Sequence, residues 1–275
     1  MRSLAAAVLL AFAAGCATTA EGDPRDPFEG ANRVVYRFND AFDQAIARPV
    51  ATAYRDWVHD EIRSRVRNFF ANLGDLFIGV NDVLQGKFQD GIEDWARFVF
   101  NSTIGLFGIH DVATDMGLEK HNEDFGQTFG TWGAGPGPYL VLPFLGSSTV
   151  RDGVGTAVDI YTDPLSEVRP YHLQYGLWGL RFTQLRADLL EASRILEEAA
   201  LDRYVFQRDA YLQRRRSLIY DGRPPREDSD RPPREEEEKP GDRPVNPKPA
   251  ARVDDKDLPR IPRNNDAVMA SGDPR

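Results

Sequence analysis

Cysteine is nearly absent from this chain: Cys16 stands alone among 275 residues. An internal disulfide or a cysteine-built metal site is therefore excluded. Positive charge is in deficit, with 34 Lys and Arg against 43 Asp and Glu, a net charge of -9 and a pI near 5.1. That balance lacks the electrostatic footprint of a nucleic-acid-binding protein. Long hydrophobic runs are missing too. The apolar N-terminal stretch, residues 4–14, falls far short of the roughly 20 residues a membrane-spanning helix needs. Catalytic signatures are also lacking. Gly146-Ser147-Ser148 has no second glycine to make a nucleophile elbow. His59, His110, His121 and His172 show no HExxH or other metal spacing, and His110-Asp111 with His121 reads as surface or capping chemistry. The glycine-rich stretch 133–137 lacks the lysine of a phosphate-cradling loop. No enzymatic activity, metal or cofactor is expected.

What is there begins at the N-terminus. Arg2, the apolar stretch and Ala13-Ala14-Gly15-Cys16 read as a secretory signal, residues 1–15, that ends on a lipidated cysteine. Each buried CH₂ contributes about 0.8 kcal/mol, so several acyl chains on Cys16 anchor the chain permanently. Ala17 after the cysteine leans toward sorting to the outer membrane. Residues 16–26 then form a tether.

At the other end, residues 222–275 hold eleven prolines, thirteen Asp and Glu and no aromatic residue. Such a segment cannot bury enough apolar surface to offset its ordering entropy, so it reads as a disordered tail. Every aromatic side chain therefore belongs to residues 1–221, of which 27–221 form the body.

The body is punctuated as an all-α fold of short amphipathic pieces. Asp26-Pro27-Phe28-Glu29 predicts a helix start, with Phe28, Ala31, Val35, Phe38, Phe42 and Ile46 at helical spacing until Arg48-Pro49 bends or ends the run. Further helices are expected around Val50 to Trp57, from Asp60 past Phe70, over 76–84 and over 88–104. Ser148 is expected to cap a helix reaching Tyr161, and two longer helices follow at about 177–201 and 204–220. Between them, 105–147 is apolar but broken by glycine and proline. Such pieces suit a soluble core or a monotopic protein lying in one face of a bilayer. Periodicity alone favours the soluble core slightly.

An ordered series of motifs shifts that balance. It runs from Asp26-Pro27-Phe28-Glu29-Gly30-Ala31-Asn32-Arg33 through Tyr36-Arg37-Phe38-Asn39-Asp40, Val80-Asn81-Asp82-Val83-Leu84-Gln85-Gly86-Lys87 and Asn101-Ser102-Thr103. It continues with Phe125-Gly126-Gln127-Thr128, Gly137-Pro138-Tyr139, Arg151-Asp152 and Arg208-Asp209-Ala210-Tyr211. The series resembles the MlaA/VacJ family of outer-membrane lipoproteins over essentially the whole body; the tail is not a shared feature. The resemblance implies a ring-like, monotopic helical bundle in the inner leaflet of the outer membrane, facing the periplasm, often beside trimeric porins. It implies a central amphipathic channel that removes mislocalised phospholipids from the outer leaflet. These pass to a soluble periplasmic carrier of the Mla pathway for retrograde transport, which maintains lipid asymmetry.

Carrying a charged headgroup through hydrocarbon costs several kcal/mol or more, and a polar-lined passage removes that barrier. Candidates for the polar lining are Asn32, Asn39, Asp40, Asn81, Asn101, Gln127, Arg151 and Asp152. Phe38, Phe125, Tyr139 and Leu140 are candidates for apolar walls or gates. Beside each stands a structural role: short polar side chains bond backbone at bends, and Arg151-Asp152 can be a fold-stabilising pair. Two rivals remain open, a membrane-bound phospholipase and a porin-bound scaffold without a lipid passage.

Overall fold

The computed structural model describes residues 23–225. The signal peptide, Cys16 and residues 226–275 of the tail lie outside the described residues. Helix α1 spans Glu29–Phe42, passes through a π-helical turn, Asp43–Ala47, and continues as α2, Arg48–Trp57. Pro49 thus falls in the first turn of α2. A proline ring clashes with the carbonyl four residues back, and the widened π turn is where the backbone makes room. The expected capping box does not form. Phe28 occupies the N-cap without a side-chain bond, while the Asp26 carboxylate accepts from Asn32 and Tyr204.

Helix α3, Asp60–Leu84, is one element of 25 residues where two were expected. Gly74 lies on it without breaking it, since an isolated glycine weakens a helix by about 1 kcal/mol and packing overrides that. After the turn at Gly86 (φ +84°), α4, Phe88–Thr103, returns against α3. Two short helices follow, α5 (Val112–Asp115), capped by Asp111, and α6 (Phe125–Thr131), capped by Asp124.

The apolar segment after Pro138 is the clearest departure from an all-helical expectation. It makes an antiparallel hairpin of β1, Tyr139–Leu142, and β2, Gly146–Thr149, with Tyr139 opposite Thr149 and Leu142 opposite Gly146. Thr149 rather than Ser148 then caps α7, Val150–Thr162. A 3₁₀ turn, Pro164–Glu167, leads to α8, Tyr171–Asp188. Helix α9, Leu190–Ala199, and α10, Arg203–Ile219, complete the order. The helix expected over 177–201 therefore begins earlier and is broken at Leu189. The body ends as expected, with Gly222 (φ +78°) returning its N–H to the Ser217 carbonyl.

The distribution of polarity is inverted relative to a soluble protein. Among the described residues eighteen polar or charged side chains are buried against nine apolar ones, while thirty-three large apolar residues are exposed. Helix α4 makes the inversion plain. Phe88, Ile92 and Val99 form one stripe and are 63%, 64% and 52% exposed, whereas Gly91, Asp94, Arg97 and Asn101 face inward. Ile92 and Val99, with Trp95 (37% exposed), stand at helical spacing in the sequence, but that spacing does not give the direction they face, and the soluble-core preference is overturned. A small apolar cluster remains where Tyr139, Val141 and Tyr204 meet, with Val35, Tyr36 and Leu212 against it.

Candidate functional site

Two asparagines fasten the hairpin to α1. Asn32 donates through Nδ2 to the Tyr139 carbonyl (3.0 Å) and accepts from Val141 N–H at Oδ1 (2.9 Å). Asn39 repeats the pattern three residues further along the hairpin, donating to the Leu142 carbonyl (2.9 Å) and accepting from Phe144 N–H (2.8 Å). The geometry explains the spacing. Seven helical residues rise about 10.5 Å and three strand residues about 10 Å, so the two amides meet equivalent peptide groups.

Those clips hold Phe144 over a cavity of about 390 Å³. Phe144 has φ +64°, a left-handed backbone that is strained for an aromatic residue. Its ring packs edge-on against Phe38 (5.2 Å) and Phe42 (5.0 Å). Its apolar lining comes from Phe42, Val141, Phe144, Leu145, Phe182, Leu189 and Leu196. Its polar lining comes from Asn39, Asp40, Asp43, Arg48, Arg186, Glu197, Arg203 and Gln207, with Ser193. Arg186 holds Asp43 through two bonds (2.5 and 2.8 Å), and Arg48 holds Glu197. Burial pushes the Asp43 carboxyl up, but the two guanidiniums outweigh it and hold the group below its usual range. The cavity therefore combines fixed charges of both signs with aromatic and aliphatic side chains.

The other sequence candidates do not converge there. Asn81 Oδ1 accepts from Thr128 (2.7 Å), joining α3 to α6, and Asn101 binds Asp111 and Ala113 N–H (both 3.0 Å). Gln127 donates to the Asn122 carbonyl (2.9 Å), and Phe125 stacks loosely on Phe129 with its N–H on Asp159. Tyr139 lies in the apolar cluster, its hydroxyl bonded to Ser147 (2.8 Å), while Leu140 is half-buried on β1. Ser147 is held a second time by Gln207 (3.1 Å).

Arg151 and Asp152 belong to an ion network. Asp152 accepts from Arg151 (2.8 Å), Tyr211 (2.8 Å) and Arg215 (3.1 Å), and Arg215 also grips Asp124 (2.5 and 2.9 Å). Burial raises both carboxyls, and Arg215 reverses the shift and keeps them ionised. A Cβ on Gly126 would lie 2.7 Å from Arg215 Nη2, so glycine is what lets the network close.

Asp159, on the inner side of α7, is the exception. Burial raises its carboxyl from 3.8 to about 6, despite the Phe125 N–H it accepts. Below pH 3.8 the group is protonated in folded and unfolded chains alike, so it contributes nothing. As the pH rises toward 6 the unfolded chain releases the proton first, and folding loses stability. Asp159→Asn is therefore expected to stabilise the protein at pH 7 by about 1–3 kcal/mol and to have no effect at pH 3, read from thermal unfolding at both pH values. Equal effects at the two would remove the buried carboxyl as their cause.

Phe144, Phe182, Arg186 and Arg203 were not reached from the sequence. The signal that existed was Pro143-Phe144-Leu145-Gly146, an aromatic between a proline and a glycine after the apolar segment Tyr139–Leu142.

Fixed charges and apolar side chains line one cavity in a body with many exposed apolar residues, the mixed surroundings that suit an amphiphilic molecule. The profile of the MlaA lipoprotein family matches residues 24–218, and the chain belongs to that family. The intermembrane phospholipid transport system lipoprotein MlaA of Escherichia coli (strain K12) is 38% identical over 206 residues, covering 73% of this chain and 81% of that protein. The protein of the same name in Haemophilus influenzae is 28% identical over 231 residues, covering 81% and 92%. A solved structure described as the structural basis for maintenance of bacterial outer membrane lipid asymmetry superposes with TM-score 0.63 at 35% identity, over 70% of this chain and 98% of that one.

Proposed function

We propose that this chain is an outer-membrane lipoprotein that takes mislocalised phospholipids from the outer leaflet through a central amphipathic passage to a soluble periplasmic carrier. Retrograde transport then maintains lipid asymmetry, and no covalent chemistry is involved. The inverted polarity is the observation that carries this reading, since an apolar exterior of this extent is stable only against lipid or protein. The names of the relatives agree with it.

The body sits in the inner leaflet facing the periplasm. Among the described residues no helix is long and apolar enough to cross a membrane, which suits a monotopic placement. Gly105 and Gly108 hold Leu106 and Phe107 outward at positive φ (55° and 60°), presenting an apolar tip to acyl chains. The outward stripe of α4 does the same. Trimeric porins are the neighbours in the membrane plane. Within the passage, the cavity below Phe144 takes a headgroup on its charged side chains while the tails keep to the apolar ones. At about 390 Å³ it lies near the lower end of ligand pockets, roughly 300–1,000 Å³, so it holds part of a phospholipid at a time.

Labelling of outer-leaflet phospholipids tests this directly. A deletion strain is expected to label strongly and the wild-type gene to restore the low level. Phe38→Ala and Asn39→Ala restore it only in part, at normal abundance and helicity. Normal labelling of the deletion strain would end the proposal, and normal labelling of both variants would remove these residues from it.

A further inference from the structure

Away from the cavity, α3 and α4 approach at a pair of glycines. A Cβ on Gly79 would lie 2.9 Å from the Gly91 carbonyl oxygen, and one on Gly91 would lie 2.8 Å from that of Gly79. Three residues beyond each glycine stands an aspartate, Asp82 and Asp94, and both are 0% exposed. His121, from the segment between α5 and α6, closes over them with Nδ1 2.9 Å from Asp94 Oδ2. One ligand-capable atom from each of the three lies within 4.8 Å of the others.

The charges do not balance as they stand. Neither oxygen of Asp82 has a hydrogen-bond partner, and no ion pair among the described residues includes it. The neighbouring Asp75 shows the contrast, having Lys120 and Arg97 beside it. Two enclosed carboxylates with a single imidazole for company are costly unless a cation, or a proton, joins them.

We propose that Asp82, Asp94 and His121 bind one divalent transition-metal ion, zinc by preference, which staples the segment entering α6 to the α3–α4 crossing. Two carboxylate oxygens and one imidazole nitrogen, with a water in the fourth place, form a zinc donor set. Calcium takes six or more oxygens and magnesium a near-ideal octahedron, and this site offers neither. Donors on one zinc are about 3.3 Å apart, so the Asp94–His121 pair, at 2.9 Å, opens slightly on binding while the wider separations, all within 4.8 Å, close. The three residues are far apart in sequence, which is why no metal spacing was legible there.

The mature chain, purified in detergent and stripped with a chelator, is titrated with zinc chloride alone, and bound zinc is measured by elemental analysis after desalting. About one zinc per chain is expected, with cobalt giving the visible bands of a four-coordinate site. Asp82→Asn is expected to weaken zinc binding by about 100-fold or more at unchanged helicity, and to abolish those bands. If that variant fails to fold, His121→Ala, whose ring is partly exposed, is expected to lose the bands in the same way. Wild-type protein that retains no zinc would overturn the proposal and leave a shared proton between the two aspartates. Zinc held equally by wild type and variant would overturn it as well.

Discussion

Arg215→Ala is expected to destabilise the protein by about 3–5 kcal/mol, one of the two largest effects in this structure. The guanidinium is only 12% exposed and binds both Asp124 and Asp152, themselves on α6 and α7 or their caps. Removing it leaves Asp152 enclosed with Arg151 and Tyr211 and frees the Asp124 cap from its tie to α10. Each of the two carboxylates then sits in a site whose burial penalty is no longer outweighed. Thermal unfolding in detergent measures the loss, a drop of about 10 °C for a body of this size. Arg215→Lys keeps the charge without the two-pronged geometry and falls between. A variant within 1 kcal/mol of wild type would mean that the network contributes little.

Ser193→Trp is expected to abolish function without unfolding the protein. Ser193 lies on the cavity wall and receives one long bond from Arg186 (3.3 Å), whose main partner is Asp43. An indole there occupies much of a space of about 390 Å³. Surface phospholipid labelling is expected to rise to the level of the deletion strain, with abundance unchanged, while Ser193→Ala complements normally. Full complementation by Ser193→Trp would show that lipids do not pass this way.

Much of the helical order was legible because amphipathic spacing and caps are local signals. Asp202 caps α10 and Asp221-Gly222 marks the last stop, whereas the short helices capped by Asp111 and Asp124 fall in 105–147, where none was expected. The unity of α3 was not legible, since Gly74 and the polar face after it resemble a break until α4 packs on them. The hairpin escaped notice because four-residue strands are too short to show alternation. Asn39 and Asp40 line the cavity, although the Asn39 amide is taken by the hairpin backbone just as that of Asn32 is; Asn81, Asn101 and Gln127 are likewise put to internal bonding. A sequence displays an amide without saying whether its partner is backbone or cargo. The direction of an amphipathic face is likewise silent, because one period serves a protein in water and a protein in oil.

The matched pitch of α1 and the hairpin works as a ruler. Inserting or deleting a single residue between positions 139 and 144 displaces one clip by about 3.3 Å, and no sliding of the strand restores both. Helix insertions between 32 and 39 rotate one amide by about 100° away from its target. Length is thereby frozen over two short stretches of chain, 32–39 on the helix and 139–144 on the hairpin.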